Sequence, residues 1–237
     1  MKNTFLSAEW RKLILANYSV DKAILQPYLP ARTELDIWND TCYVSVVGFR
    51  FMHTRIKGLP IPFHTSFPEI NLRFYVRSKD LGEWKSGVVF IKEMVPKPAV
   101  TMVANTLFGE HYVTMPMDYT WKEHDDNLNV AYRWKKNGAW NSVIVKADLQ
   151  LLDMPEGSEA EFMTEHYWGY TRLSPKLSSE YAVEHDRWQT YHVRDYVMDI
   201  NFQDNFGHEF GYLSQEKPKS VFLAEGSAVR IGDGRRI

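Results

Sequence analysis

The sequence predicts a mainly β protein with a few covering helices, and three observations predict it. β-Branched and aromatic runs recur along the chain from Glu34 onward, turn signals such as Asn39-Asp40 and Asn137-Gly138 separate them, and the regular strand–helix alternation of a doubly wound parallel sheet is missing. Many strands joined by hairpins argue for an antiparallel sheet curled into a barrel or sandwich, with helices at its edge or mouth. The 237 residues are within the length that such folds occupy as one unit, so a single domain over 1–237 is expected. A chain of this size buries roughly 70–75% of its unfolded surface, so its core needs neither disulfides nor structural metals.

The elements follow in order. Ser7 is placed to cap a short amphipathic helix in which Trp10, Leu13 and Ile14 recur at helical spacing. Asp21 precedes a second helical turn carrying Ala23, Ile24, Leu25 and Leu29, which Pro30 ends. ELDIWN and TCYVSVVGFRFMHTRI form a hairpin, with Gly48 a bulge or bend, and EINLRFYVR is the cleanest alternating strand. GVVFIKEMV is the next strand. PAVTMVANTLFGEHY is a helix, with Pro98 in its first turn and Gly109 at its end. MDYTWKEH, LNVAYRWKKN and AWNSVIVKADLQLLD make a meander. A short helix around SEAEFMTEHY, strands near YAVEHDRWQTYHV, a helix around FGHEFGYL and a last strand SVFLAEGSAVRI complete the chain.

Composition removes several function classes. With 28 basic and 30 acidic residues there is no positive excess to attract phosphate backbones, so nucleic acid is not expected as a partner. Charges at Glu9, Arg11 and Lys12 interrupt the opening segment, so it does not read as a signal peptide. No window approaches the ~20 apolar residues needed to cross a bilayer, and the mean hydropathy is −0.39. The single cysteine, Cys42, reads as a small core residue and fits a reducing compartment, so the cytoplasm is expected. A homodimer is the default oligomer. The motifs HExxH, CxxC, GxGxxG, Walker A and GxSxG are all absent, and no histidine spacing points to a metal. No cofactor is expected.

In EINLRFYVR, Glu69, Asn71, Arg73, Tyr75 and Arg77 share one strand face and Ile70, Leu72, Phe74 and Val76 the other. The polar row reads either as a solvent-facing sheet surface or as the lining of an interior where Glu69 and Arg73 orient a polar ligand. GVVFIKEMV is apolar on both faces yet carries Lys92 and Glu93 pointing opposite ways. Buried charges require partners or a wet cavity, and a desolvated lysine becomes a nucleophile toward carbonyls. Lys92, Glu69 and Glu93 are therefore the catalytic candidates. His111-Tyr112 and Glu165-His166 add acid–base groups near element ends, while His185, on a face with Tyr181 and Val183, reads as structural. The candidate ligand-binding set is Glu69, Arg73, Lys92, Tyr112, His111 and His166.

A helix-like start containing Trp10, then YLP, LDIWND-TCYVSVVGFRF, FPEINLRFYVR, GVVFIKEMVPKPAV, TEHYWGYTR, YAVEHDRW and SVFLAEGSAV, together resemble the YqjF-like family of uncharacterised proteins over nearly the whole chain. That family is grouped with acetoacetate decarboxylase-like proteins, and the resemblance implies a cone-shaped, largely antiparallel β-barrel around a pocket. Decarboxylases of that superfamily form a Schiff base through a lysine in a Gly-x-Pro-Lys-Lys run just after a helix. The corresponding run here is Gly109-Glu110-His111-Tyr112-Val113, with neither lysine. A strand glutamate of those enzymes resembles Glu69. The resemblance thus implies a protein that binds, with or without transforming it, a small organic acid or carbonyl metabolite in an interior barrel pocket without that Schiff base. Two alternatives stand beside it: a lyase or hydrolase using Lys92 with Glu69 or Glu93, and a non-catalytic structural or interaction barrel.

Overall fold

The opening segment is a strand, not the helix that its apolar spacing predicts. In the computed structural model, which describes residues 4–237, β1 (Thr4–Val20) pairs along its length with two neighbours. A bulge centred on Lys12, whose φ is +53°, shifts the register between Arg11 and Ile14. The bulge returns Leu13 to the face already occupied by Trp10, giving a spacing of three within a strand. Leu13 to Tyr18 are buried on both faces, which removes the alternation that would have marked a strand. Gly48 lies opposite this bulge, paired with Ile14.

The next elements are α1 (Lys22–Leu25), capped by Asp21 as expected, β2 (Thr33–Leu35), β3 (Cys42–Ile56), β4 (Leu59–Pro60), β5 (Phe67–Asp80) and β6 (Glu83–Val95). After α2 (Pro98–Leu107), Gly109 adopts a φ of +72° and leads into β7 (Tyr112–Thr114). The meander is β8 (Met117–His124), β9 (Asn127–Lys136) and β10 (Ala139–Asp153). Then come α3 (Glu159–Thr164), β11 (Trp168–Ser174), β12 (Leu177–His185), β13 (Gln189–Asp199), α4 (Phe202–Phe206), β14 (Ser220–Gly232) and β15 (Arg235–Arg236). β11 and β7 are strands that the sequence reading did not separate from their surroundings.

Strand order runs β12-β11-β6-β5-β3-β1-β14, and β12 pairs back to β14, so these strands close into a ring. From β14 the sheet continues through β13, β10, β9 and β8. One core fills the space between the ring's outer face and this extension, with Ile14, Val46, Leu72 and Phe74 meeting Tyr132, Trp134, Val143 and the α4 residues Phe202 and Phe206. A second cluster, built on Leu13, Leu15, Val47, Phe49, Phe51, Phe67 and Met163, faces the ring interior. It contains the site described next. No helix among the described residues is long and apolar enough to cross a membrane.

Candidate functional site

The alternation of β5 places Ile70, Leu72, Phe74 and Val76 in the outer core and turns Glu69, Asn71 and Arg73 into the ring interior. All three polar residues are buried, at 2%, 1% and 7% exposure. The solvent-facing reading of this row therefore does not hold, except at its end, where Arg77 pairs with Glu34 at the surface.

β6 departs from simple alternation. Leu72 pairs with Lys92 and Arg73 with Phe90, leaving Ile91 as an extra residue. This bulge keeps Phe90 and Glu93 on the interior face and sends Lys92 to the outer side. There its Nζ donates to the backbone carbonyl of Asn205 at the end of α4, 2.5 Å away. Burial pushes the Lys92 ammonium below its ordinary pKa, with Lys136 adding to the effect and Glu209 opposing it. Lys92 lines neither interior chamber, which corrects its assignment to the ligand pocket. His111 is also not brought there: it is exposed, one residue before the strand that carries Tyr112.

Tyr112 reaches the interior because β7 runs parallel to β6 and aligns it with Glu93. Its hydroxyl donates to Glu69 Oε2 at 2.9 Å, and Asn71 Nδ2 donates to Glu69 Oε1 at 3.0 Å. Glu110, which follows the α2 terminus, is 7% exposed and accepts from Thr171 Oγ1 at 2.8 Å and Tyr181 OH at 2.9 Å through one oxygen. Burial pushes the Glu69 and Glu110 carboxyls up to about 7. Burial, then the nearby Glu110 and Glu69 charges, hold the Glu93 carboxyl well above the ordinary range. Arg73 donates through one Nη to the Met163 carbonyl at 2.9 Å. His166 stands 3.7 Å from Asp36 through Nε2, and burial lowers its pKa against the pull of that carboxylate.

Several buried polar atoms here make no hydrogen bond within 3.5 Å: Asn71 Oδ1, Arg73 Nε, Glu93 Oε2, Glu110 Oε2 and both nitrogens of His166. Such atoms concentrate where a bound molecule or water completes the bonding. Most of them border an inner chamber of about 60 Å³, lined by Glu69, Asn71, Arg73, Glu93, Tyr112, His166 and His185 among aromatic walls. An apolar outer chamber of about 210 Å³ lies beneath α2 and shares Phe51, Glu93, Tyr112, Tyr181 and Ile231 with it. Among the described residues, no lysine lines either chamber.

Sequence reasoning missed Glu110 as a site residue and read His185 as structural. The position of Glu110 just after a helix-ending glycine was the available signal. Tyr181 depends on Gly169, its partner across β11 and β12, because a Cβ at Gly169 would lie 2.1 Å from the Tyr181 ring. Gly169→Ala is expected to cost about 2 kcal/mol or more, as overpacking does, and denaturant unfolding would measure it. Gly58→Ala, where a Cβ would meet nothing within 4 Å, tests the effect of a glycine loss without a clash.

The raised carboxyls also set a pH dependence. In the unfolded chain these glutamates have an ordinary value of 4.5, whereas in the folded protein burial raises Glu69 and Glu110 to about 7 and holds Glu93 well above 4.5. The folded state holds the extra protons, so this contribution to stability is complete below 4.5 and is lost as pH rises through the folded values. His166 and His185, both lowered by burial, act in the opposite sense up to their unfolded value of 6.5. Above pH 6.5 the histidines are neutral in both states and the carboxyls act alone. The midpoint of thermal unfolding should fall as pH rises from 6.5 through about 7, and Glu69→Gln should flatten the fall. An unchanged slope in the variant would show that Glu69 is already ionised in the folded protein.

A closed ring of strands thus surrounds a chamber lined by carboxyl groups and one arginine. The structure aligns with an acetoacetate decarboxylase-like enzyme from Sphingomonas wittichii RW1 at a TM-score of 0.67 and 12% identity, covering 98% of this chain and 92% of that one. It aligns with the enduracididine biosynthesis enzyme MppR complexed with pyruvate at 0.68 and 14%, covering 98% and 90%. At such identities the likeness is one of fold. The chain belongs to the DUF2071 family of uncharacterized conserved proteins, whose profile matches residues 7–228. It is 27% identical over 184 residues to the uncharacterized protein YqjF of Bacillus subtilis strain 168, covering 76% of this chain and 72% of that protein.

Proposed function

We propose that the protein binds a small organic acid or carbonyl metabolite in the inner chamber, with Arg73 holding a carboxylate and no covalent bond to lysine. The observation that carries this reading is Arg73 itself, the one arginine or lysine among the described lining residues, buried beside Glu93, whose carboxyl burial pushes toward its neutral form. A guanidinium is the group best shaped to take a carboxylate. In its neutral form Glu93, whose Oε2 has no hydrogen-bond partner, would donate a hydrogen bond to a ligand carbonyl and a proton to an enol or carbanion formed next to it. Support also comes from the solved MppR structure, whose bound molecule is pyruvate.

Charge balance gives this reading a sharp test. Below pH 7 the chamber is net positive, because Arg73 faces largely neutral carboxyls; above it, ionisation of Glu69 and Glu110 opposes an anionic ligand. Titration calorimetry with pyruvate should show affinity falling by up to about tenfold per pH unit between pH 7 and 8.5, the limit for one coupled proton. An affinity that rises over this interval would overturn the charge assignment.

A further inference from the structure

We propose that the ligand of this pocket is an amphiphilic monocarboxylic acid, with its carboxylate at Arg73 in the inner chamber and an apolar tail of several carbons in the outer chamber beneath α2. The inference rests on the acid-binding reading above and adds the class of acid. It starts from the mismatch between the two spaces. A water needs roughly 10–15 Å³ of such space, so the inner chamber of about 60 Å³ accepts a carboxylate with its neighbouring carbons and little more. The outer chamber, at about 210 Å³, is several times larger and adjoins it at Glu93, Tyr112 and Tyr181, which line both.

The walls of the outer chamber select for hydrocarbon. Phe5, Phe51, Phe67, Val100, Val103 and Phe108 are among its apolar walls. Of its polar residues, Thr54 and His64 stand away from the junction, while Tyr112 and Tyr181 at the junction are already committed to Glu69 and Glu110. The roof is unusual for an apolar helix: α2 has no fully buried residue, although Val100 and Val103 face the chamber. A tail laid beneath them would bury that face, which a two- or three-carbon acid held at Arg73 does not reach. The lining thus combines one cation at the closed end with a long apolar approach, the pattern that recognises a carboxylate head and a hydrocarbon tail.

The test is a chain-length series. Acetate, butyrate, hexanoate and octanoate are titrated into the wild-type protein by calorimetry at pH 6.5, with octanol as the uncharged control. Affinity should rise about fourfold per methylene beyond the inner chamber, the gain expected for transferring each group out of water, and octanol should bind at least tenfold more weakly than octanoate. Val103→Trp, which fills the outer chamber from a partly exposed helix position, should abolish the gain with length while leaving acetate or butyrate affinity intact. Ala104→Leu serves as a milder second variant if the tryptophan disturbs α2. Affinities that stay flat with length, while short acids or pyruvate still bind, overturn this inference and leave the acid-binding reading standing. Failure of every acid to bind, short and long, overturns both.

Discussion

Arg73→Met is expected to remove organic-acid binding, weakening it by about a hundredfold or more, while leaving the protein folded. A charge-assisted bidentate bond to a carboxylate is lost, and the chamber is left with carboxyl groups alone. Methionine preserves much of the apolar stem that packs near Tyr75, whose ring lies 5.6 Å from the guanidinium carbon. Only one protein hydrogen bond of the guanidinium, to the Met163 carbonyl, is surrendered. The variant should also push Glu69 to a still higher pKa, since Arg73 is among the groups that lower it. Circular dichroism establishes the fold, and calorimetry with pyruvate measures the loss. Unchanged affinity in a folded variant would place the ligand elsewhere.

The second large effect is structural. Gly226→Ala should destabilise the protein by about 3–5 kcal/mol, the range of severe overpacking and backbone strain. Gly226 pairs with Arg11 across β1 and β14, has a φ of +82°, and a Cβ there would lie 2.0 Å from the Trp10 carbonyl oxygen. That oxygen is backbone and cannot move without disturbing β1 next to the Lys12 bulge. At about 2–4 °C per kcal/mol for a chain of this size, the midpoint of thermal unfolding should drop by roughly 10 °C or more. Gly58→Ala, with a φ of +80° and open space around it, should cost only about 1 kcal/mol. Equal losses at the two positions would show that φ, not the close approach of β1, governs Gly226.

These cases show what the residues made legible and what they did not. The β class and the strands of the meander followed from alternation and from turns such as Asn137-Gly138, because both signals are local. The alternation of EINLRFYVR separated Glu69, Asn71 and Arg73 from their apolar neighbours. It could not say which face was enclosed, since that depends on strands far away in sequence. The bulges escaped altogether. One extra residue at Lys12 gave β1 a helical spacing, and another at Ile91 moved Lys92 out of the interior while leaving Glu93 inside. The position of Glu110 after a helix-ending glycine was visible but its burial was not: its partners Thr171 and Tyr181 lie 61 and 71 residues away, so that burial is a product of the closed ring. The missing lysines in Gly109-Glu110-His111-Tyr112-Val113 were legible from the start. Among the described residues, none of the lining of either chamber is a lysine.

The central claim is that an acid is held in the ring by Arg73 without a covalent bond to the protein. Its most direct measurement is titration of pyruvate at pH 6.5, followed by borohydride reduction of the complex and intact-mass analysis. The account predicts saturable binding at one site and a protein mass unchanged by reduction. A reduced adduct on a lysine, or no saturable binding at all, would contradict it.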